Sequence, residues 1–170
     1  TFFLTVIFDL TVAIEVGLLI ACVLFMKRVM ETTDISVIKN EIDPNNESDL
    51  EVHEEHLMVP EGVEVYEING PYFFGIATKF EEIMSELGDR PKVRIIRMRK
   101  VPFIDSTGIH NLTNLCEMSK KENIHIVLSG VNEKVHKVLE KAGFYDLLGE
   151  DNICPNINVA LEKAKAIVEK

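Results

Sequence analysis

Residues Phe2 to Met26 are almost wholly apolar, interrupted by the charges of Asp9 and Glu15, and the run ends at Lys27-Arg28. No other feature restricts the fold as much. A helix that crosses lipid needs roughly 20 apolar residues, so this run is long enough. A secretory signal carries its positive charge ahead of the apolar stretch and a small-residue cleavage site behind it; this run has neither. A buried helix of a water-soluble domain would need an equally apolar partner, and nothing later in the chain offers one. The basic pair, by the positive-inside tendency, places residues after about 28 in the cytoplasm.

Asp9 and Glu15 constrain the arrangement further. A carboxylate facing hydrocarbon is costly and calls for a protein neighbour, a water-filled cavity or an interface. A single span would turn both acids toward missing helices. The preferred arrangement ends one membrane helix at Phe8, turns near Asp9-Leu10-Thr11, and runs a second helix from about Val12 to Val29. A chain that starts inside hydrophobic sequence reads as a piece of something longer. Residues 1–30 are therefore expected to end a transmembrane domain, with Lys27 and Arg28 at the membrane interface.

The formal net charge is −10 over 170 residues. Such acidity argues against nucleic acid, whose phosphates need a basic surface. The bias is local. Between residues 31 and 60, Lys39 is the only base among acids such as Glu41, Asp43, Glu47, Asp49 and Glu51. With Asp43-Pro44-Asn45-Asn46 breaking any period, residues 31–56 read as an acidic linker. His53 and His56 have the spacing of a metal pair, but a third ligand is missing and the pattern is not HExxH, so no metal is expected. Three cysteines, Cys22, Cys116 and Cys154, lie far apart. Free thiols in a reducing compartment follow.

Residues 57–170 read as a globular domain. Val63 to Ile68 alternates apolar and polar, as a half-buried strand does. Tyr72-Phe73-Phe74 is a short apolar strand after the Asn69-Gly70-Pro71 turn. Ile76, Phe80, Ile83, Met84 and Leu87 recur at helical spacing, and Gly88 stops that helix. Val93 to Met98 is a second main strand. Ile109, Leu112, Leu115, Cys116 and Ser119 predict a helix, Ile124 to Leu128 a strand, Val135, Val138 and Leu139 a helix closed by Gly143, and Ile157 to Val168 a last helix. Strands alternating with helices imply an α/β fold with a parallel or mixed sheet. Arg94, Arg97, Arg99 and Lys100 form a basic run around one strand, read as a solvated strand end.

The loop Pro102-Phe103-Ile104-Asp105-Ser106-Thr107-Gly108 joins a strand to a helix. Ser106 suits the N-cap, Asp105 adds charge at the positive end of the helix, and Gly108 leaves room for a close approach. A nucleophilic Ser106 would need a base, and only His110 is near in sequence; the loop is not G-x-S-x-G. No catalytic residue, glycine-rich phosphate loop or cofactor site is expected. A phosphate on this helix end would meet free N–H groups, beside the Asp105 carboxylate.

These residues together resemble the STAS domain, shared by bacterial anti-sigma factor antagonists and by the cytoplasmic tails of SulP (sulfate permease) anion transporters. The likeness rests on Gly-Val-Glu-Val-Tyr-Glu-Ile at 62–68, Gly-Pro-Tyr-Phe-Phe-Gly at 70–75, Val-Pro-Phe-Ile-Asp-Ser-Thr-Gly at 101–108, Leu-Ser-Gly-Val at 128–131 and Leu-Glu-Lys-Ala-Gly-Phe at 139–144. Phe8 to Gly17 looks like the last membrane segment of a SulP transporter. The resemblance implies a small mixed sheet flanked by helices, behind a transmembrane segment. It implies the C-terminal part of an inorganic anion transporter, not an enzyme, at the cell inner (plasma) membrane. Its STAS domain would be a regulatory, assembly or docking module. It implies as partners the transmembrane domain of the same transporter, a second copy in a homodimer, and a cytosolic regulatory protein or nucleotide. Asp105, Ser106, Thr107 and Gly108 would form the surface such a partner reads, and Phe73 and Phe74 core or interface aromatics. In freestanding antagonists the serine after the loop Asp is phosphorylated, which maps onto Ser106 with Thr107 adjacent. A phosphoswitched antagonist is the alternative reading.

Overall fold

The computed structural model describes residues 10–31, 34–38, 41–42, 57–73 and 90–169. Helix α1, Leu10–Glu31, stands in a unit of its own. Its 19 residues from Leu10 to Arg28 have a mean hydropathy of 2.2. At 1.5 Å per residue that stretch is about 28 Å long, close to the hydrocarbon thickness of a bilayer. Leu18, Leu19, Leu24 and Phe25 are all exposed, so the helix needs apolar surroundings. Leu10 and Thr11, expected in a turn, already belong to it; Asp9 and everything before it lie outside the described residues. Lys27 and Arg28 are exposed near its end.

The second unit begins at Asp34. Its strands are β1 (Asp34–Ile38), β2 (Glu41–Ile42), β3 (Leu57–Met58), β4 (Val63–Asn69), β5 (Val93–Arg97), β6 (His125–Ser129) and β7 (Ile153–Cys154). Its helices are α2 (Ser106–Lys121), α3 (Glu133–Lys141), α4 (Phe144–Leu148) and α5 (Ile157–Val168), with a 3-10 turn at Glu150–Asn152. Five strands form one mixed sheet in the order β1-β4-β5-β6-β7. Only the β1–β4 pair is antiparallel; the other neighbours run parallel. The expected α/β fold is present.

The linker expectation needs correction. Asp34–Ile38 lies in the stretch assigned to it, yet forms the edge strand beside β4, with Ile35 opposite Ile68 and Val37 opposite Tyr66. Glu41–Ile42 pairs with Leu57–Met58 in a second small sheet. A domain start at residue 57 therefore cuts through both sheets. The rest of the linker, with His53 and His56, lies outside the described residues, as do Phe74 and the helix expected after Ile76.

Alternation along each strand sends side chains to two apolar layers. Tyr66, Ile68, Ile96, Met98, Ile126 and Leu128 pack under α2, α3 and α4. Val63, Val65, Val93, Ile95 and Val127 pack under α5 through Ile157, Ala160, Leu161 and Ala164. β4 is thus buried on both faces, not half-buried, because strands in mid-sheet are covered from both sides. Tyr72 makes a single parallel bridge to Ile104 instead of the short strand expected there. The three cysteines are free thiols. Burial pushes the Cys116 thiol up to about 12, with Glu117 adding to the effect.

The arginine run also needs correction. β5 is the central strand, not an edge or a solvated end. Arg94 and Arg97 are buried. Each is held by polar partners: Arg94 Nη1 donates to Ser119 Oγ at 3.3 Å, and Arg97 Nη1 lies 3.4 Å from Glu67 Oε1.

Candidate functional site

The loop from Val101 to Gly108 is fixed from three directions. Tyr72 N donates to Phe103 O at 3.0 Å, and Asp105 N donates back to Tyr72 O at 3.3 Å. Gly70 N donates to Lys100 O at 3.3 Å. Asn132 Nδ2 donates to Val101 O at 2.5 Å while its Oδ1 caps α3 through Val135 N. Gly108 sits directly on the Tyr72 carbonyl, so the helix start meets the chain at 72 with no side chain between.

The cap is one residue earlier than expected. Asp105 is the N-cap of α2: its backbone is extended, and its Oδ1 accepts from Gly108 N at 2.6 Å. Ser106 is the first helical residue. Asp and Ser cap equally well, and the clamp on Asp105 N by Tyr72 decides between them. Replacing Asp105 with Ala should therefore cost about 1 kcal/mol of stability, whereas Ser106→Ala should stay within about 0.5 kcal/mol. Urea unfolding of the two variants tests this; a larger loss for Ser106→Ala would return the cap to the serine.

The loop brings the sequence-derived residues together and divides their work. Asp105 and Gly108 build the turn. Ser106 and Thr107 are left exposed at the helix N-terminus, and Phe103 projects beside them, 53% exposed. His110 Nε2 lies 3.2 Å from Asn114 Nδ2, one turn further along α2. The loop is a rigid presenting surface with two hydroxyls and an aromatic ring, close to a positive helix end.

Two polar groups of the sheet were not foreseen. Under α2, Tyr66 OH donates to Glu64 Oε2 at 2.7 Å, and Glu64 stands in register with Arg94. On the α5 face, Glu67 Oε1 is shared by Arg97 and by Lys100 Nζ at 3.5 Å. The signal for both was in the strand, where Glu64 and Glu67 fall among the apolar residues Val63, Val65, Tyr66 and Ile68.

A family description, STAS domain, matches residues 56–160. The chain belongs to the STAS domain family. Its STAS domain and apolar helix are similar to sulfate transporters in sequence. A putative sulfate transporter of Bacillus subtilis, YvdB, is 29% identical over 159 residues, which covers 89% of this chain and 27% of that protein. The crystal structure of a sulfate transporter family protein from Wolinella succinogenes is 40% identical with a TM-score of 0.65, covering 76% of this chain and 100% of that one. The murine Slc26a9 anion transporter in its inward-facing state shares the fold at 17% identity, with a TM-score of 0.68, covering 97% of this chain and 27% of that one. The chain thus spans about a quarter of the length of the whole transporters it matches. These relatives are transporters and not enzymes. With the apolar helix α1, they support a membrane location, and α1 fits a last membrane segment.

Proposed function

We propose that this chain is the C-terminal part of a SulP-type transporter of an inorganic, sulfate-like anion at the cell inner membrane. Helix α1 is the final membrane helix, and Lys27 and Arg28 anchor its cytoplasmic end. The STAS domain that follows is a cytoplasmic regulatory, assembly and docking module. One observation carries this reading: an exposed apolar helix of bilayer length, ending in a basic pair, is followed at once by a STAS domain similar to those of sulfate transporters. The surface Asp105-Ser106-Thr107-Gly108 is read by a cytosolic protein or nucleotide, and the domain works in a homodimer.

Sulfate uptake by cells producing the complete gene product, compared with a version ending after Glu31 at equal membrane abundance, tests the role. Uptake should fall several-fold on truncation. Unchanged uptake would remove the regulatory role, and no uptake by either would remove the anion assignment. The antagonist alternative draws on the exposure of Ser106 at a helix start. It requires a phosphate on Ser106 in protein from its native cell, visible by intact mass, and a loss of function in Ser106→Ala.

A further inference from the structure

The main sheet ends in a strand of two residues. β7 pairs with Leu128 and Ser129 of β6, so the first half of β6 has no strand beside it on that side among the described residues. Helices α2 and α4 and the 3-10 turn close over this edge incompletely. They leave a cleft of about 310 Å³, at the small end of the range for ligand pockets, roughly 300–1,000 Å³. Its floor belongs to the core: Cys116, Ile124 and Ile126 line it and are 7%, 4% and 5% exposed. Leu147 and Leu148 of α4 give it an apolar wall, and Leu147 is left partly open to solvent. Lys120 and Asn123 stand exposed at the rim, with Asn152 half-buried.

The charge at this rim is of one sign. No acid lines the cleft, in a chain whose net charge is −10. Lys120 brings a full positive charge, and its ammonium has no hydrogen-bond or ion-pair partner among the described residues. The negative end of α2 is close, but its carbonyls are already engaged: those of Met118, Ser119 and Lys120 accept from Glu122, Ile124 and Asn123 in turn. Asn152 Nδ2 donates to Leu148 O at 2.6 Å, which holds that amide against the wall and leaves its second N–H for a ligand. Burial keeps the Cys116 thiol protonated, so the floor carries no charge.

We propose that this cleft binds a small monocarboxylate with a compact apolar body, of the branched-chain or aromatic acid class. The body covers Cys116, Ile124, Ile126 and Leu147, which removes apolar surface from water. The carboxylate stays at the rim, where Lys120 meets its charge and the amides of Asn123 and Asn152 donate to its oxygens. One lysine suits one negative charge. A hydrated inorganic oxyanion makes no use of the apolar floor, and an uncharged apolar molecule makes none of Lys120. The cleft shares no residue with the loop Asp105 to Gly108 and stands whether or not the transport reading holds.

The test uses the full chain in detergent micelles, following the amide signals of Asn123, Ile124, Ile126 and Leu147. Sodium benzoate and sodium 3-methylbutanoate are the probes. Benzamide supplies the ring without the charge, and sodium acetate the charge without the body. Saturable shifts with at least one probe are expected, with benzamide and acetate each about fivefold weaker or more, the upper worth of an exposed ion pair. Lys120→Gln should weaken benzoate about fivefold and leave benzamide unchanged. Leu147→Ala should weaken both about threefold. Both side chains are exposed, so the fold is kept, and unmoved amides at Val65 and Ile95 check this. Unsaturable shifts, shifts confined to α1 through partition into the micelle, equal affinity for benzoate and benzamide, or full benzoate affinity in Lys120→Gln would overturn the site.

Discussion

Substituting alanine for Gly108 is expected to destabilise the STAS domain by about 3 kcal/mol, the upper end of the usual cost of overpacking. The sign is the reverse of the ordinary rule, since Gly→Ala within a helix normally gains about 1 kcal/mol. Here a Cβ would stand 2.4 Å from Tyr72 O, 2.9 Å from Tyr72 Cδ1 and 3.0 Å from Ile104 Cγ1. The closest of these is a backbone atom, and it cannot turn away. Tyr72 is pinned by its hydrogen bonds to Phe103 and Asp105, so α2 must lift from the chain at 72 or the clamp on the loop must break. Either change loosens the surface that presents Ser106 and Thr107. Gly143→Ala is the contrast: its φ is +70°, but the nearest atom to a new Cβ is Asp146 Oδ2 at 3.7 Å. Only the left-handed backbone is strained there, at about 1 kcal/mol. Urea midpoints of the two variants would separate the mechanisms. A Gly108→Ala loss no larger than that of Gly143→Ala would show that the helix start yields easily.

The elements legible in the sequence were those whose signal is local. α2, α3 and α5 each carry a buried stripe at helical spacing, and the expected Ile157–Val168 agrees with α5 at both ends. β5 and β6 were read within a residue of their observed bounds. What escaped depends on distant partners. β1 owes its existence to β4, and its five residues sit among acids that dominate any window around them. α4, the 3-10 turn and β7 are too short for a period to show, and packing alone defines them. The rank of a strand in its sheet is equally non-local. Arg94 and Arg97 looked like residues for water because nothing near them in sequence shows that β5 lies at the centre.

The same division holds at the loop. That residues 101–108 join a strand to a helix, with Gly108 at a close approach, follows from residue types in order. Which residue caps the helix does not. Asp105 and Ser106 have similar capping strength, and the choice is made by Tyr72, far from them in sequence, which fixes the backbone of Asp105 as extended. A polar row on the α5 face was hidden for a related reason: Ser36, Glu67, Arg97 and Ser129 are neighbours only through strand register.

Removing the Glu64 carboxylate, as in Glu64→Leu, is expected to cost about 3 kcal/mol, because it leaves the buried Tyr66 hydroxyl without its acceptor and takes a negative charge from the position in register with the buried Arg94. Glu64 and Arg94 are each 7% exposed, so neither is open to bulk water. Tyr66 OH is bonded to Glu64, and the phenol is held protonated by burial first and by that carboxylate second, so it remains a donor. With Glu64 gone, the donor loses its acceptor, and Arg94 loses the carboxylate in register with it on β4. Arg94 Nε already lacks a partner among the described residues, so the network has no spare bonds to redistribute. The double variant Glu64→Leu, Arg94→Met should recover part of the loss, since opposite buried charges replaced together by apolar groups of similar volume are often neutral or better, while the Tyr66 hydroxyl still lacks its acceptor. The ion pair of Lys137 with Glu133 is the control. At 2.6 Å it is a short contact, but its side chains are 70% and 83% exposed. Breaking it with Lys137→Ala should cost no more than about 1 kcal/mol. Burial ranks the two substitutions, because the charge left behind at 133 returns to water and the one left at 94 cannot. Equal losses from Glu64→Leu and Lys137→Ala in urea unfolding would show that water reaches the sheet beneath α2.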